Sequence, residues 1–297
     1  MSKRHAGRTR PASAQTDIRL EVAAHEREAN AAGRAHWDLY SEHRAQVTRL
    51  IVSRSAAVKD ARVALLGAGN CNDVDLQQIL PHVAQVHLVD IDMQAINGAR
   101  ARLNETQRAQ VKLHAPVDLS GLLATWQQAR PLLPAFAEVD AWAAQGATSV
   151  AAAVPEFFDL VVSCCVLTQM SWGLRQSLGP DHPLQMQARE ALVAAHLRSL
   201  AALAPTGKAL LVSDMISTEY HPLDDLPAGT NLQALMDRLV AEQNFYQGAN
   251  PPLVRRLLRR DPWLAPRVKQ QTWLPPWLWH GPQDRTYLVY ALELTFA

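Results

Sequence analysis

Gly67-Ala68-Gly69-Asn70 and, further along, Asp90 carry the clearest chemistry in this chain of 297 residues. Two glycines two apart let a backbone turn sharply and let a ligand come within contact distance, because no Cβ intervenes. Asn72 or Asp73 can cap the helix that follows, whose free N–H groups favour an anionic or polar group. Asp90 lies about 20 residues beyond the turn, where a doubly wound nucleotide fold places the carboxylate that accepts bonds from a ribose diol. By itself an aspartate after a strand is as readily a turn residue; the glycines before it favour the ribose role.

These residues need a strand, a turn and a helix to hold them. Val63 to Leu66 is an apolar run long enough for a buried strand and too short for a helix. A helical pattern runs from Val74 to Leu80, and Val86 to Asp92 is a second short strand ending on carboxylates. The third strand is Val111 to Ala115. The fourth lies in the apolar run from Phe157 to Gln169, as a parallel strand buried on both faces requires. The fifth is Lys208 to Asp214, and the last is Thr286 to Leu294.

A dinucleotide fingerprint would place a third glycine where this chain has Asn72, so the pattern is Gly-x-Gly-x-x-x-Asp. With Val89-Asp90-Ile91-Asp92 after it, the pattern resembles that of the class I (Rossmann-like) S-adenosylmethionine (SAM)-dependent methyltransferases. SAM has no phosphate, so the third glycine can be spared, and a nicotinamide-dependent dehydrogenase is disfavoured. The Phe-Asp-Leu-Val-Val-Ser run and the Pro-x-Gly turn before the fifth strand extend the resemblance over residues 61–118, 157–214 and 285–294.

The resemblance implies an α/β, doubly wound, mostly parallel seven-stranded sheet with an antiparallel last strand. N-terminal helices and two helical insertions complete it. A basic tail at 1–16 precedes a helical lid at 17–60. A SAM-binding domain then spans 61–297, with insertions at about 121–156 and 215–272. The cofactor contacts implied are Gly67, Ala68, Gly69, Asn70, Asp73, Asp90, Ile91, Asp118, Leu119, Ser163 and Cys164. Asp118 has two roles open to it, a bond to the adenine amino group or a cap for the helix after it. One departure stands out. Leu65 occupies the position where the family usually carries an acid that holds the turn and the methionine end of SAM. Asp73 or Asn70 is the replacement.

The activity implied is methyl transfer to a small-molecule acceptor, on nitrogen or oxygen. The alternative is a SAM-fold protein that binds cofactor or a partner chain without catalysis. Asp214, Tyr220, His221 and Tyr246 are the candidate bases. Tyr40, Gln169, Trp277 and Trp279 are candidate acceptor contacts; the tryptophans could hold an amine by cation–π contact or could simply be core. His43 and Arg44 could reach the site from the lid or lie on a solvated face. Arg255, Arg256, Arg259 and Arg260 could form an anion site or a solvated face.

Composition bounds the rest. Apolar residues make up 48% and charged residues 19%, as in ordinary soluble globular chains. A net charge of +1 supplies no field for steering nucleic acid. Cys71, Cys164 and Cys165 match no disulfide framework or metal motif and read as buried and inert. A cytoplasmic protein with no metal and no membrane partner is expected, and nothing in the sequence indicates an oligomeric state.

Overall fold

The computed structural model describes residues 17–129, 138–281 and 284–297, so the basic tail at 1–16 lies outside the described residues. Helix α1 (Ile18–Gly33) starts on Asp17, whose side chain accepts from the Arg19 amide. A 3₁₀ segment (Arg34–Tyr40) leads into α2 (Ser41–Ser55). Strand β1 (Arg62–Leu66) follows, then the glycine turn and the short α3 (Leu76–Ile79). The cap of α3 is Asp75, whose carboxylate accepts from Gln77 and Gln78, and not Asn72 or Asp73. The turn is longer than the sequence suggests because Cys71 adds a further positive φ of 55°.

Next come β2 (Gln85–Val89), α4 (Met93–Ala101), α5 (Glu105–Ala109) and β3 (Val111–His114). Helices α6 (Leu123–Ala129) and α7 (Glu138–Ala153) precede β4 (Leu160–Cys164). Helices α8 (Val166–Leu178) and α9 (Gln185–Leu203) lead to β5 (Lys208–Ser217). Helices α10 (Leu232–Ala241) and α11 (Pro251–Arg260) then lead to β6 (Val268–Gly281) and β7 (Arg285–Phe296).

The strands form one seven-stranded sheet in the order β3-β2-β1-β4-β5-β7-β6. The pairs among β1 to β5 are parallel, and β7 runs antiparallel to both β5 and β6. The fold is therefore the doubly wound, mostly parallel seven-stranded sheet with an antiparallel last strand. Strand order reverses between β1 and β4, so the carboxyl ends of β1 and β4 open a crevice, as parallel sheets do at a switch point. One face buries Val89, Val161 and Leu211 against α7, α9 and α11; the other buries Leu65, Leu88 and Val162 against α2, α3 and α4.

The apolar run from Phe157 to Gln169 does not form one long strand. It stays extended only to Cys164; Cys165 turns in the left-handed region (φ 52°), and Val166 begins a helix. Buried strand and buried helix are both apolar, so the pattern carries no mark of where one becomes the other. The outer strand β6 is longer than its tryptophans suggest, with a register irregularity between Leu274 and Trp277 that spans Pro275 and Pro276.

Candidate functional site

Gly67 and Gly69 adopt positive φ values of +71° and +46°. A Cβ on Gly67 would run into Val166 Cγ2, and one on Gly69 would lie 2.8 Å from Asn30 Oδ1. Both positions therefore need glycine for conformation and for space. Asp90 closes the turn from the neighbouring strand: Oδ2 accepts the Gly69 amide at 2.8 Å and Oδ1 accepts the Asp92 amide at 2.8 Å. Burial raises the Asp90 pKa, while these amides act to lower it.

Helix α1 lies across this turn. Asn70 Nδ2 donates to the Asn30 carbonyl at 2.6 Å, Asn72 Nδ2 to the Gly33 carbonyl at 3.0 Å, and Asn30 Nδ2 to Asp92 Oδ2 at 3.1 Å. Between α1, the turn and α8 opens a cleft lined by Glu26, Gly67, Asp90, Ile91, Asp118, Leu119 and Gln169, among others. Glu26 escaped the sequence reading. Burial, and then the nearby charges of Asp90 and Asp92, push its pKa up to about 7. Its signal was the helical spacing of Val22, Glu26 and Asn30, which share one face of α1.

The other expected contacts divide. Ala68, Asp73 and Cys164 line a small recess beside Gly67, together with Leu65. Gly69 and Asn70 serve the turn and α1 rather than lining either space. Ser163 is fully buried, its hydroxyl 2.8 Å from His196 Nε2, and lines neither space. Asp118 borders the cleft and also caps α6: Oδ1 accepts from Ser120 N and Oγ, and Oδ2 from Leu123 N at 3.0 Å.

Asp73 faces His43 Nε2 at 3.2 Å, yet neither atom completes an aligned hydrogen bond. Trp277 Nε1 donates to His43 Nδ1 at 3.1 Å, which leaves the ring proton on Nε2. Trp279 stacks on His43 at 4.6 Å and packs against Tyr40 at 5.0 Å and Tyr287 at 4.8 Å. Trp277 and Trp279 thus share one face of β6 and pack against α2. His43 and Arg44 are buried rather than solvated: Arg44 donates to the Trp37 and Asn72 carbonyls and stacks over Trp37.

Helix α8 separates two spaces. Val166, Gln169, Met170 and Gly173 face the cleft under α1. Thr168, Ser171, Trp172 and Arg175 face a second cavity of about 550 Å³. Each set follows a three-and-four spacing, and the two are offset by two residues, which puts them on nearly opposite sides of the helix. The second cavity also receives Asp214, Tyr220, Tyr246 and Tyr287. Asp214 sits where the β5–β7 register slips between Asp214 and Ile216, a bulge that re-aims side chains. It accepts from Thr168 Oγ1 at 3.0 Å, and burial pushes its pKa up to about 7.

Tyr246 donates to Ser217 Oγ at 2.5 Å, and burial pushes its phenol up to about 12. Tyr220 is exposed and stands edge-on to Tyr246; His221 follows it in a turn outside the lining. Burial also pushes the thiols of Cys71, Cys164 and Cys165 up, so they are poor nucleophiles. Arg255 stacks on Trp273 and Arg256 pairs with Glu190 at 2.8 Å, while Arg259 and Arg260 are exposed. Among the described residues one group has metal-ligating types together, His87, His114 and Glu156. His87 Nδ1 lies 2.9 Å from His114 Nε2, and Glu156 pairs with Arg62.

No family model matches the chain, and no curated protein matches it. Solved structures do. The methyltransferase domain of bacterial CtHen1 is 12% identical with a TM-score of 0.43, covering 86% of this chain and 99% of its own. Magnesium protoporphyrin IX methyltransferase from Synechocystis PCC 6803, solved with SAM, is 12% identical with a TM-score of 0.43, covering 96% and 87%. The N-methyltransferase NodS from Bradyrhizobium japonicum WM9, solved with S-adenosyl-L-homocysteine (SAH), is 13% identical with a TM-score of 0.42, covering 94% and 98%. This chain is similar to them in outline.

Proposed function

We propose that this protein is a SAM-dependent methyltransferase acting on a small-molecule acceptor, with α1 as a lid over the cofactor. One observation carries the reading. A bare-backbone turn at Gly67–Gly69, where side chains would clash, is bonded to Asp90 at 2.8 Å and borders the open cleft under α1. The residues fit an adenosyl group: Asp90 and Glu26 stand toward a sugar diol, with Ile91, Val117 and Leu119 as apolar walls. The buried Asp73 Oδ1, without an aligned partner, fits the ammonium of a methionyl group and compensates for Leu65.

When bound, SAM supplies an electrophilic methyl group, which passes to the acceptor's lone pair while the C–S electron pair stays on sulfur. Holding acceptor and methyl in line can contribute about 7–11 kcal/mol. A proton shed by the acceptor nitrogen or oxygen is assigned to Asp214, which lies across α8 from the cleft but within electrostatic reach of Asp73 at the methionyl end; its pKa near 7 leaves it about half ionised at neutral pH. Tyr246 is a poor base, since burial stabilises its protonated phenol. His221 stands outside the cavity lining.

Calorimetry with SAH tests the cofactor assignment, and fluorescence titration with NADH is its counterpart. A folded protein that binds NADH and not SAH would sink it. Transfer of labelled methyl from SAM into a metabolite extract separates an enzyme from a protein that only holds the cofactor. A cytoplasmic location forms part of the proposal; among the described residues no helix is long and apolar enough to cross a membrane.

A further inference from the structure

The cavity of about 550 Å³ behind α8 has an unbalanced charge. Arg285 and Glu219 lie 3.4 Å apart and offset one another. Arg175, on α8, and Arg189, on α9, both line the cavity and have no carboxylate within ion-pair distance among the described residues. Arg189 is half-buried, and its Nε is fully buried without a hydrogen-bond partner. Burial first, and then the charge of the exposed Arg175, lower the Arg189 pKa, so Arg189 sits where its charge is unfavourable. A guanidinium donor taken out of water and left unpaired is unfavourable unless something occupies it, and planar guanidinium forks suit carboxylate and phosphate oxygens.

At its other side the cavity presents Asp214 with Thr168, and between them Trp172, Tyr246 and Tyr287 offer aromatic surface. Trp277 and Trp279, the reason to expect an amine, pack on His43 and do not line this space. We infer that the cavity binds an acceptor carrying a negatively charged group, a carboxylate or a phosphate, seated between Arg175 and Arg189 with its methylated atom toward Asp214. The assignment of this ligand as a methyl acceptor rests on the function proposed above; the anion site itself does not.

Titration calorimetry with benzoate, phenyl phosphate and benzamide tests it, on the full chain with and without saturating SAH. The anionic probes should bind at least ten-fold more tightly than benzamide. Tighter benzoate identifies a carboxylate seat, and tighter phenyl phosphate a phosphate seat. The double variant Arg175→Met/Arg189→Met should lose at least ten-fold of that affinity and keep SAH affinity within two-fold. Arg189→Lys, which keeps the charge, should retain part of the anion binding and guards against a folding defect in the double variant. Equal binding of benzoate and benzamide, or anion binding unmoved by the double variant, overturns the inference. Arginine-dependent anion binding by a protein that ignores SAH would uphold the anion site and remove the methyltransferase reading alone.

Discussion

The two sides of α8 are built by different means. On the Gly67 side the turn is bare backbone, held by Asp90 and clipped to α1 by Asn70 and Asn72, and the rest of the wall is short apolar side chains such as Ile91, Val117 and Leu119. On the Arg189 side the walls are long polar and aromatic side chains drawn from α8, α9, β5, β7 and the segment around Tyr246. A backbone cradle specifies a ligand that stays the same. A side-chain cavity can be retuned one residue at a time, which suits an acceptor particular to this protein.

That contrast can be broken most forcefully at Gly67. Gly67→Val forces a side chain into Val166 and into a disfavoured φ, so SAH affinity should fall at least 100-fold by calorimetry, with phenyl phosphate binding kept. Circular dichroism checks that the variant is folded, and unchanged SAH binding would empty the cleft of its proposed cofactor. Asp73→Ala removes a charge-assisted bond and should weaken SAH by about 1.5–3 kcal/mol, roughly 10- to 150-fold. No loss of affinity would leave the methionyl ammonium without its assigned partner.

On the acceptor side the expected effect is smaller and depends on pH. Asp214 has a folded pKa near 7, above its ordinary value of 3.8. The folded state therefore holds a proton that the unfolded chain has lost, and this contribution to stability is full below about pH 4 and gone above about pH 7. Asp214→Asn should accordingly raise the melting temperature relative to the native protein at pH 8 and not at pH 4. It should also remove the acidic limb of the turnover profile near pH 7. A melting difference independent of pH would mean that Asp214 is ionised throughout. The smallest change belongs to Tyr246→Phe, which loses one hydrogen bond and should lower turnover by less than about five-fold, on the scale of 1 kcal/mol. Abolished turnover would move the proton-accepting role from Asp214 to Tyr246.

Buried histidines give the opposite pH slope. His87 and His196 are held by burial near a pKa of about 4, below the usual 6.5. Their contribution is full above about pH 6.5 and lost as pH falls toward 4. In that window they oppose Asp214, so the Asp214→Asn variant should lose more stability than the native protein as the pH falls.

The difference between the two sides also decided what could be read from the sequence. The strand, the glycines and Asp90 lie within one stretch of about 30 residues, and their spacing reflects local geometry. The parallel strands follow from short apolar runs, and their order from the family pattern. Helix α8 was hidden because Val166 and Leu167 continue the apolarity of β4. Glu26 reaches the cleft from a helix far away in sequence, and Arg175, Arg189, Tyr246 and Tyr287 meet only through the fold. No spacing rule connects them. Leu65 shows the limit from the other direction: the missing acid and its replacement at Asp73 were legible, but the burial of Asp73 Oδ1 against His43 was not.

Pro275 and Pro276 fall within β6, at the rim of the sheet, where the register with β7 slips. Neither can donate an amide, and the slip bends the strand away from a flat edge. Another strand laid along that rim would meet a gap in its ladder, so this boundary is a poor template for edge-on aggregation. The outer hairpin owes that protection to two tertiary-amide nitrogens with no hydrogen to give.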